Sequence, residues 1–453
     1  MQQSERGNFS TRLGIVLATA GSAVGLGNVW RFPYIAGQNG GAAFIIIYVG
    51  CIMLLGIPGM VSEFIIGRHA QANAARSYAM MSHIRHWRFV GYLGILTSII
   101  ILGFYAVVAG WCLQYLFASL AGSLRGDADS ITNYFQAFVS NPLKPCLLAI
   151  VFLLTTHVVI VRGVQNGIEK ASKILMPILF VLLLTIVVAS CTLPGAIDGI
   201  RFLFAPDFSM VTHNTLLEAL GQAFFSLSLG TCCLCTYASY FAPETHLLRS
   251  ASQIAVIDTL IAIFAGLMIF PAAFSVGIQP DSGPSLVFIT LPTVFQQAFA
   301  GVPLVGQAIS HMFYALLIFA ALTSTISMHE IGTAFFHEEF RLSRSGAAWI
   351  VTAICAVIAV LCSLSMGAVP SLTLMGMSLL DFFDHLTAQI MLPLGAFLTS
   401  LFMGWIVSKP LLQREFTNGG TYSQHLFPVY LYAIRFFVPL AILLIFLHQF
   451  GVI

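Results

Sequence analysis

Two short stretches of small and polar residues hold most of the binding chemistry available to this chain. The first is Ala20-Gly21-Ser22-Ala23-Val24-Gly25-Leu26-Gly27-Asn28, and the second is Ser226-Leu227-Ser228-Leu229-Gly230-Thr231. Each interrupts an apolar run. A helix that unwinds there exposes N–H and C=O groups, at a cost on the order of several kcal/mol per unpaired group. Such a break persists where something polar binds. Free N–H groups at the start of a half-helix suit an anion such as a carboxylate, and carbonyl and hydroxyl oxygens are ligands of a hard cation. Glycine also serves close helix packing, and serine can bond back to its own helix, so packing accounts for either stretch alone. Both together, in corresponding positions and with Asn28 and Gln222 adjacent, point to one shared site. Asp258, a carboxylate in a further apolar run, is expensive in such surroundings and marks function.

Catalytic chemistry is missing from the sequence. It has no phosphate-cradling loop, nucleophile elbow or metal-spaced His/Cys set, so the site is expected to bind and not to react, and the chain is not an enzyme. Nine cysteines are present, most in apolar runs. Cys232 and Cys235 form a CxxC inside an apolar helix with no second pair, which reads as small packing residues.

The elements that must position these groups follow from composition. Of 453 residues, 58% are hydrophobic and 8% charged, against about 25% charged in a soluble domain, so an integral membrane protein is expected. A net charge of +2 points to no nucleic acid partner. Runs long enough to span a bilayer lie at 12–36, 42–69, 88–122, 143–161, 168–192, 213–241, 250–278, 303–337, 345–365, 374–407 and 427–450. No linker separates folded domains, so residues 1–453 are expected to form a single all-α domain of eleven transmembrane helices. Lys and Arg number fourteen on the N-terminal side and four on the other. That asymmetry predicts a cytoplasmic N-terminus and an extracytoplasmic C-terminus in a multi-pass inner-membrane protein. Breaks in the first and sixth spans predict two inverted five-helix repeats, about 12–192 and 213–407, with an extra helix at 427–450.

At these residues the chain resembles the neurotransmitter:sodium symporter family, in its bacterial amino-acid branch. The resemblance rests on Arg12-Leu13-Gly14, Gly25-Leu26-Gly27-Asn28 through Arg31-Phe32-Pro33, Asn39-Gly40-Gly41, Glu63 with Gly67-Arg68, and Gln222 to Gly230. It continues through Thr236 to Tyr240, Phe288 to Pro292, Leu322-Thr323-Ser324 and the Asp381–Asp384 region. It implies the fold in which spans one and six unwind at mid-membrane, and sodium-coupled import of a neutral L-amino acid by alternating access. One sodium ion would be held by Ala23, Asn28, Ser226 and Asp258. A second would be held by Gly21, Val24, Ala320, Thr323 and Ser324. The substrate carboxylate would meet Gly25, Leu26, Gly27 and Tyr105, with Ala23, Ile101, Phe225, Ser226, Ser228, Thr231, Ser324 and Met328 around the rest.

The resemblance further implies an outer gate of Arg31 and Asp384, with Asp381 one turn away as a rival, and Phe32 and Tyr105 closing above the substrate. The inner gate would be Arg6 and Glu338 with Tyr240 nearby. Tyr48, Gln222 and Ser226 keep parts of a chloride pocket. Asp258 and Ala262, however, stand where chloride-dependent relatives carry Asn and Ser, so chloride is expected to be dispensable. Gly25, in place of the acidic residue of monoamine carriers, favours an amino acid over an amine. Thr231 leaves room for a hydrophobic or aromatic side chain. The readings left open are a small aliphatic substrate, or a non-transporting amino-acid sensor, which would need a signalling domain or tail.

Overall fold

Threonines begin both broken helices. Thr11 accepts a hydrogen bond from the Gly14 N–H (3.0 Å), and Thr212 and Thr215 cap one another's backbone in a reciprocal box. Both satisfy donors that a helix start leaves orphaned. From Thr11 the first helix runs over Arg12–Ala23, and Val24 turns extended at φ −73° and ψ 111°. The chain resumes as a π-helical turn, Gly27–Arg31, and a helix, Phe32–Gln38, bent 57° from the first half. The second broken helix runs over His213–Ser226 and resumes at Cys233–Ala238.

This computed structural model describes residues 7–82, 84–124, 126, 128–277, 286–422 and 424–449. Among them, nine helices are long and apolar enough to cross a membrane, or ten with the bent pair counted as one. The stretch expected to be a sixth span is two short helices around a turn, and neither half is long enough to cross by itself. Sequence limits and observed limits agree closely at Arg88–Leu120, Lys144–Val161, Arg344–Ser365 and Phe427–His448. The run expected to start at 374 starts later. A hairpin pairs Thr373–Leu374 with Met377–Ser378, and the helix begins at Leu379, where Ser378 accepts from the Asp381 N–H (3.1 Å). Short helices lie between spans at Ala74–Met80, Ala128–Val139, Ala196–Phe204 and Lys409–Phe416.

The long helices Pro303–Glu339 and Arg88–Leu120 pack against each other and flank the broken pair. Outward faces carry large apolar side chains, with Met53, Leu54 and Val188 more than 60% exposed, as suits contact with lipid. The turn of the second broken helix is held from inside. Glu63, buried in the Ile57–Ala70 helix, accepts from the Gly230 N–H (2.9 Å) and the Cys235 N–H (3.3 Å), taking up donors the broken helix leaves free.

Gly230 has φ +86°, and a Cβ there would stand 2.3 Å from the Leu392 carbonyl oxygen. The backbone strain alone of a side chain at this φ costs about 1–3 kcal/mol. Gly230→Ala is therefore expected to lower the melting temperature of the purified protein by several degrees. An unchanged melting curve would show that the Leu379–Ile406 helix does not press on this turn.

Candidate binding site

The two breaks meet in one cavity of about 200 Å³. Their exposed backbone is paired locally. The Gly25 N–H donates to Asn28 Oδ1 (3.0 Å), the Leu26 N–H to Tyr105 Oη (3.0 Å), and the Asn28 N–H to the Gly25 carbonyl (3.2 Å). Ser228 Oγ donates to the Ser22 carbonyl (3.3 Å), tying one break to the other. The cavity is lined by Ala23, Gly25, Gly27, Ile101, Tyr105, Phe225, Ser226, Ser228, Thr231, Ser324 and Met328. Leu26 does not line it: its side chain is fully buried, and it contributes only the N–H taken by Tyr105.

At one edge of the cavity Asn28, Ser226 and Asp258 converge, all buried. Asp258 Oδ2 accepts from Ser226 Oγ (2.6 Å) and Tyr48 Oη (3.5 Å), and Oδ1 accepts from Asn28 Nδ2 (2.8 Å). A half-turn of the Asn28 amide would present Oδ1 to a cation instead. The result is a carboxylate ringed by a serine, an asparagine and a tyrosine, an oxygen-rich set suited to a hard monovalent cation. Ala262, one turn beyond Asp258, is fully buried and adds no polar atom. Gln222, one turn before Ser226, is buried, and neither amide atom has a hydrogen-bond partner among the described residues.

A second oxygen cluster forms against the Pro303–Glu339 helix. Ser324 Oγ donates to the Val24 carbonyl (3.1 Å), and Thr323 Oγ1 to the Ala320 carbonyl (3.0 Å). Gly21 packs on Thr323, where an added Cβ would lie 3.2 Å from the threonine Cβ. The structure thus brings Gly21, Val24, Ala320, Thr323 and Ser324 together.

The cavity extends past Arg31 to Asp381 and Asp384. Arg31 and Asp384 form no ion pair among the described residues, and the guanidinium lies 4.3 Å from the centre of the Phe225 ring, a cation–π contact. Asp381 accepts from Ser378 Oγ (2.7 Å), while the Asp384 side chain has no hydrogen-bond partner among the described residues. The expectation for Phe32 is corrected. It is fully buried and packs against Tyr48 and Phe44, with ring centres 5.1 and 6.0 Å away, so it cannot close over the cavity. Phe225, not Phe32, lines the cavity together with Tyr105.

The other end is shut. Phe9 is buried edge-on to Tyr237 and Tyr240, and its N–H donates to the Tyr240 carbonyl (3.1 Å). Tyr240 Oη donates to Glu330 (2.7 Å), which Arg344 grips through two nitrogens (3.0 and 2.5 Å). Among the described residues, Tyr240 is thus tied to a charged partner in Glu330. Glu338 accepts from the Asn73 N–H (2.7 Å) and Nδ2 (3.1 Å), and Arg6 lies outside the described residues. Sequence reasoning missed Glu330–Arg344 because the pair joins two helices, and spacing along one chain carries no signal for it. It also missed a buried histidine pair. The Thr352 hydroxyl donates to the Ala348 carbonyl (2.9 Å) and so accepts from both His157 (2.8 Å) and His329 (2.9 Å).

Comparison with known proteins points to one family and one fold. A family model described as the sodium:neurotransmitter symporter family matches residues 6–137 and 138–452. The chain is 38% identical to YhdH, an uncharacterized sodium-dependent transporter of Bacillus subtilis (strain 168), over 100% of both chains. It is 33% identical to an uncharacterized sodium-dependent transporter of Haemophilus influenzae, over 98% of each. Among solved structures, MhsT in complex with L-phenylalanine superposes with a TM-score of 0.87 at 39% identity, over 98% of this chain and 99% of that one.

Proposed function

The chain belongs to the sodium:neurotransmitter symporter family, and from that premise we propose that it imports a neutral, hydrophobic or aromatic L-amino acid by symport with sodium. The observation that carries this reading is the meeting of two unwound helices in a single cavity, with an oxygen cluster at each of two edges. Asn28, Ser226, Asp258 and the Ala23 carbonyl would take one sodium ion. Gly21, Val24, Ala320, Thr323 and Ser324 would take the other. The apolar wall of Ile101, Phe104, Val108, Phe225 and Met328 suits a large apolar side chain, and the relative MhsT was crystallised with L-phenylalanine.

On this reading the chain has eleven spans, counting both broken helices, with inverted repeats over 12–192 and 213–407, and the fourteen-to-four asymmetry of Lys and Arg argues for a cytoplasmic N-terminus and a C-terminus outside an inner membrane. In that orientation the cavity opens outward between Arg31 and Asp384 and is closed inward by Phe9, Tyr240, Glu330 and Arg344. Alternating access reverses these two ends. One inward charge gains about 2.3 kcal/mol per 100 mV, and a tenfold gradient adds about 1.4 kcal/mol. Two sodium ions therefore drive accumulation on the order of 10⁵-fold. Asp258 supplies the fixed negative charge, so chloride is not needed.

Proteoliposome uptake driven by an inward sodium gradient tests the reading directly. Uptake of L-phenylalanine or another apolar amino acid is expected to exceed that in a potassium control by at least roughly tenfold, the factor of one 1.4 kcal/mol step. Equal uptake in both salts, for all twenty amino acids, would sink it. Tyr105 gives a finer check. Its oxygen accepts the Leu26 N–H, so its own proton is available to a substrate carboxylate. A charge-assisted bond of this kind contributes about 1.5–3 kcal/mol, so Tyr105→Phe is expected to raise KM by about 10- to 100-fold. An unaltered KM would remove Tyr105 from the carboxylate site.

A further inference from the structure

Arg435 is a cation inside an apolar helix with no carboxylate paired to it among the described residues. It lies in the Phe427–His448 span, about 12 Å along the axis from Phe427, within a π-helical turn over Ala433–Phe437. Its Nε donates to the Gly404 carbonyl (2.6 Å), and its guanidinium stands 5.6 Å from the centre of the Trp405 ring. Its terminal amino groups have no hydrogen-bond partner among the described residues, and it forms no ion pair there. Three other cations that the bundle half-covers or covers are answered by carboxylates: Arg68 pairs with Glu415 (2.7 Å), Arg344 with Glu330 (2.5 Å) and Lys173 with Glu169 (2.7 Å), while Arg31, also without an ion pair among the described residues, lines the substrate cavity with Asp381 and Asp384. An unanswered charge at this depth is costly and marks a functional contact.

Arg435 does not face the substrate cavity. It lines a separate groove of about 190 Å³ that shares no residue with that cavity, together with Lys409, Tyr432 and Phe436. Lys409 is exposed at the start of the short helix that follows the Leu379–Ile406 span. Tyr432 is 58% exposed and Phe436 47%, so the groove opens on the outer face of the bundle, toward lipid. Two cations, an exposed tyrosine and an apolar wall of Phe427, Leu431 and Phe436, with Trp405 beside Arg435, match one occupant: a phosphate headgroup with acyl chains attached.

We propose that this groove is a binding site for an anionic phospholipid, its phosphate between Lys409 and Arg435 and its chains along Phe436. The phosphate supplies the countercharge that the protein withholds. The neutral aromatic rim alone would accept any lipid, and the paired cations select the anionic class. With the orientation proposed above, the site lies in the cytoplasmic leaflet, but its chemistry does not depend on that orientation or on transport.

Native mass spectrometry of the full chain in mild detergent, titrated with phosphatidylglycerol or phosphatidylcholine, reads the site without any transport assay. The wild type is expected to retain one phosphatidylglycerol at concentrations where phosphatidylcholine is not retained. Each basic residue near a headgroup is worth about fivefold in affinity, so Lys409→Gln and Arg435→Gln should each weaken retention by about fivefold and the double variant by roughly 25-fold. Arg435→Lys should retain the lipid, and Lys144→Gln, on another loop, should change nothing. Lys409 is exposed and touches no core, so its variant keeps the test valid if Arg435→Gln fails to fold. Equal retention by wild type and Lys409→Gln, or of the two lipids by the wild type, would overturn the proposal. So would displacement of the lipid by millimolar inorganic phosphate, which would reassign the groove to a free anion.

Discussion

Gly25→Asp is expected to reduce sodium-driven amino-acid uptake to background. Gly25 stands where the first helix breaks, and its N–H is held by Asn28. A Cβ built on it would lie 2.7 Å from Ser324 Oγ and 3.0 Å from Tyr105 Oη, so any side chain crowds the wall where the substrate carboxylate is proposed to sit. A carboxylate adds like-charge repulsion: two unit charges about 4 Å apart at an effective dielectric near 20 repel by roughly 4 kcal/mol, on the order of 10³ in affinity. Gly25→Ala separates the two effects. It keeps the crowding without the charge, and because Ser324 Oγ can rotate away, its loss should be nearer tenfold, about 1.4 kcal/mol. The charge argument carries a gain as well as a loss. Phenethylamine, which has the ring and the amine but no carboxylate, should raise the melting temperature of Gly25→Asp more than that of the wild type. Unchanged uptake kinetics in Gly25→Asp would remove the carboxylate from this end of the cavity.

The parts of the fold that were legible in the sequence are those governed by length and hydropathy. A span of about 20 apolar residues is set by bilayer thickness, so Arg88–Leu120 and Arg344–Ser365 could be bounded within a few residues. Both breaks were legible for a related reason. Glycine and serine at mid-run stand out against apolar neighbours, and the structure unwinds at Val24 and again over Leu227–Cys232. What stayed hidden depends on rotation about a helix axis and on partners far along the chain. Phe32 and Phe225 are both aromatic and both lie beside a break, yet only Phe225 faces the cavity. Tyr240 could be matched to the shut end, but not to Glu330, which lies 90 residues away on another helix. Glu63 was visible as a motif without a role; only the folded chain shows it gripping the Gly230 and Cys235 N–H groups.

In the proposed transport cycle the shut end would have to open. Glu330 is fully buried, and Arg344 and Tyr240 satisfy it together. Opening that end by moving Tyr240 away leaves the Arg344–Glu330 pair intact but exposes it to water. The exchange replaces one hydrogen bond to a charged group, about 1.5–3 kcal/mol, with hydration.

Wild-type uptake is expected to be the same within about twofold when chloride is replaced by gluconate, a difference below 0.5 kcal/mol, and Asp258 is the reason. Its Oδ2 is held by Ser226 and Tyr48 and its Oδ1 by Asn28, so the charge is fixed at the edge of the cavity. At about 4 Å from a sodium ion, such a charge attracts it by roughly 4 kcal/mol at an effective dielectric near 20. Asp258→Asn removes that attraction, and sodium affinity should fall by about 10²- to 10³-fold. The same change releases the hydroxyl protons of Ser226 and Tyr48, beside a Gln222 amide that has no partner among the described residues. Ala262, fully buried one turn further on, is where a serine would add another hydroxyl. Asp258→Asn with Ala262→Ser therefore assembles a ring of donors around a place for one anion, and a bound halide would restore the missing charge. Uptake by this double variant should be at least tenfold higher in chloride than in gluconate, about 1.4 kcal/mol or more of coupling between halide and sodium. Wild-type uptake that fell to background in gluconate would contradict the assignment of the fixed charge to Asp258. A double variant indifferent to chloride would show instead that the donors do not converge. The two results are separable because the first needs only the native side chains and the second needs the new ones.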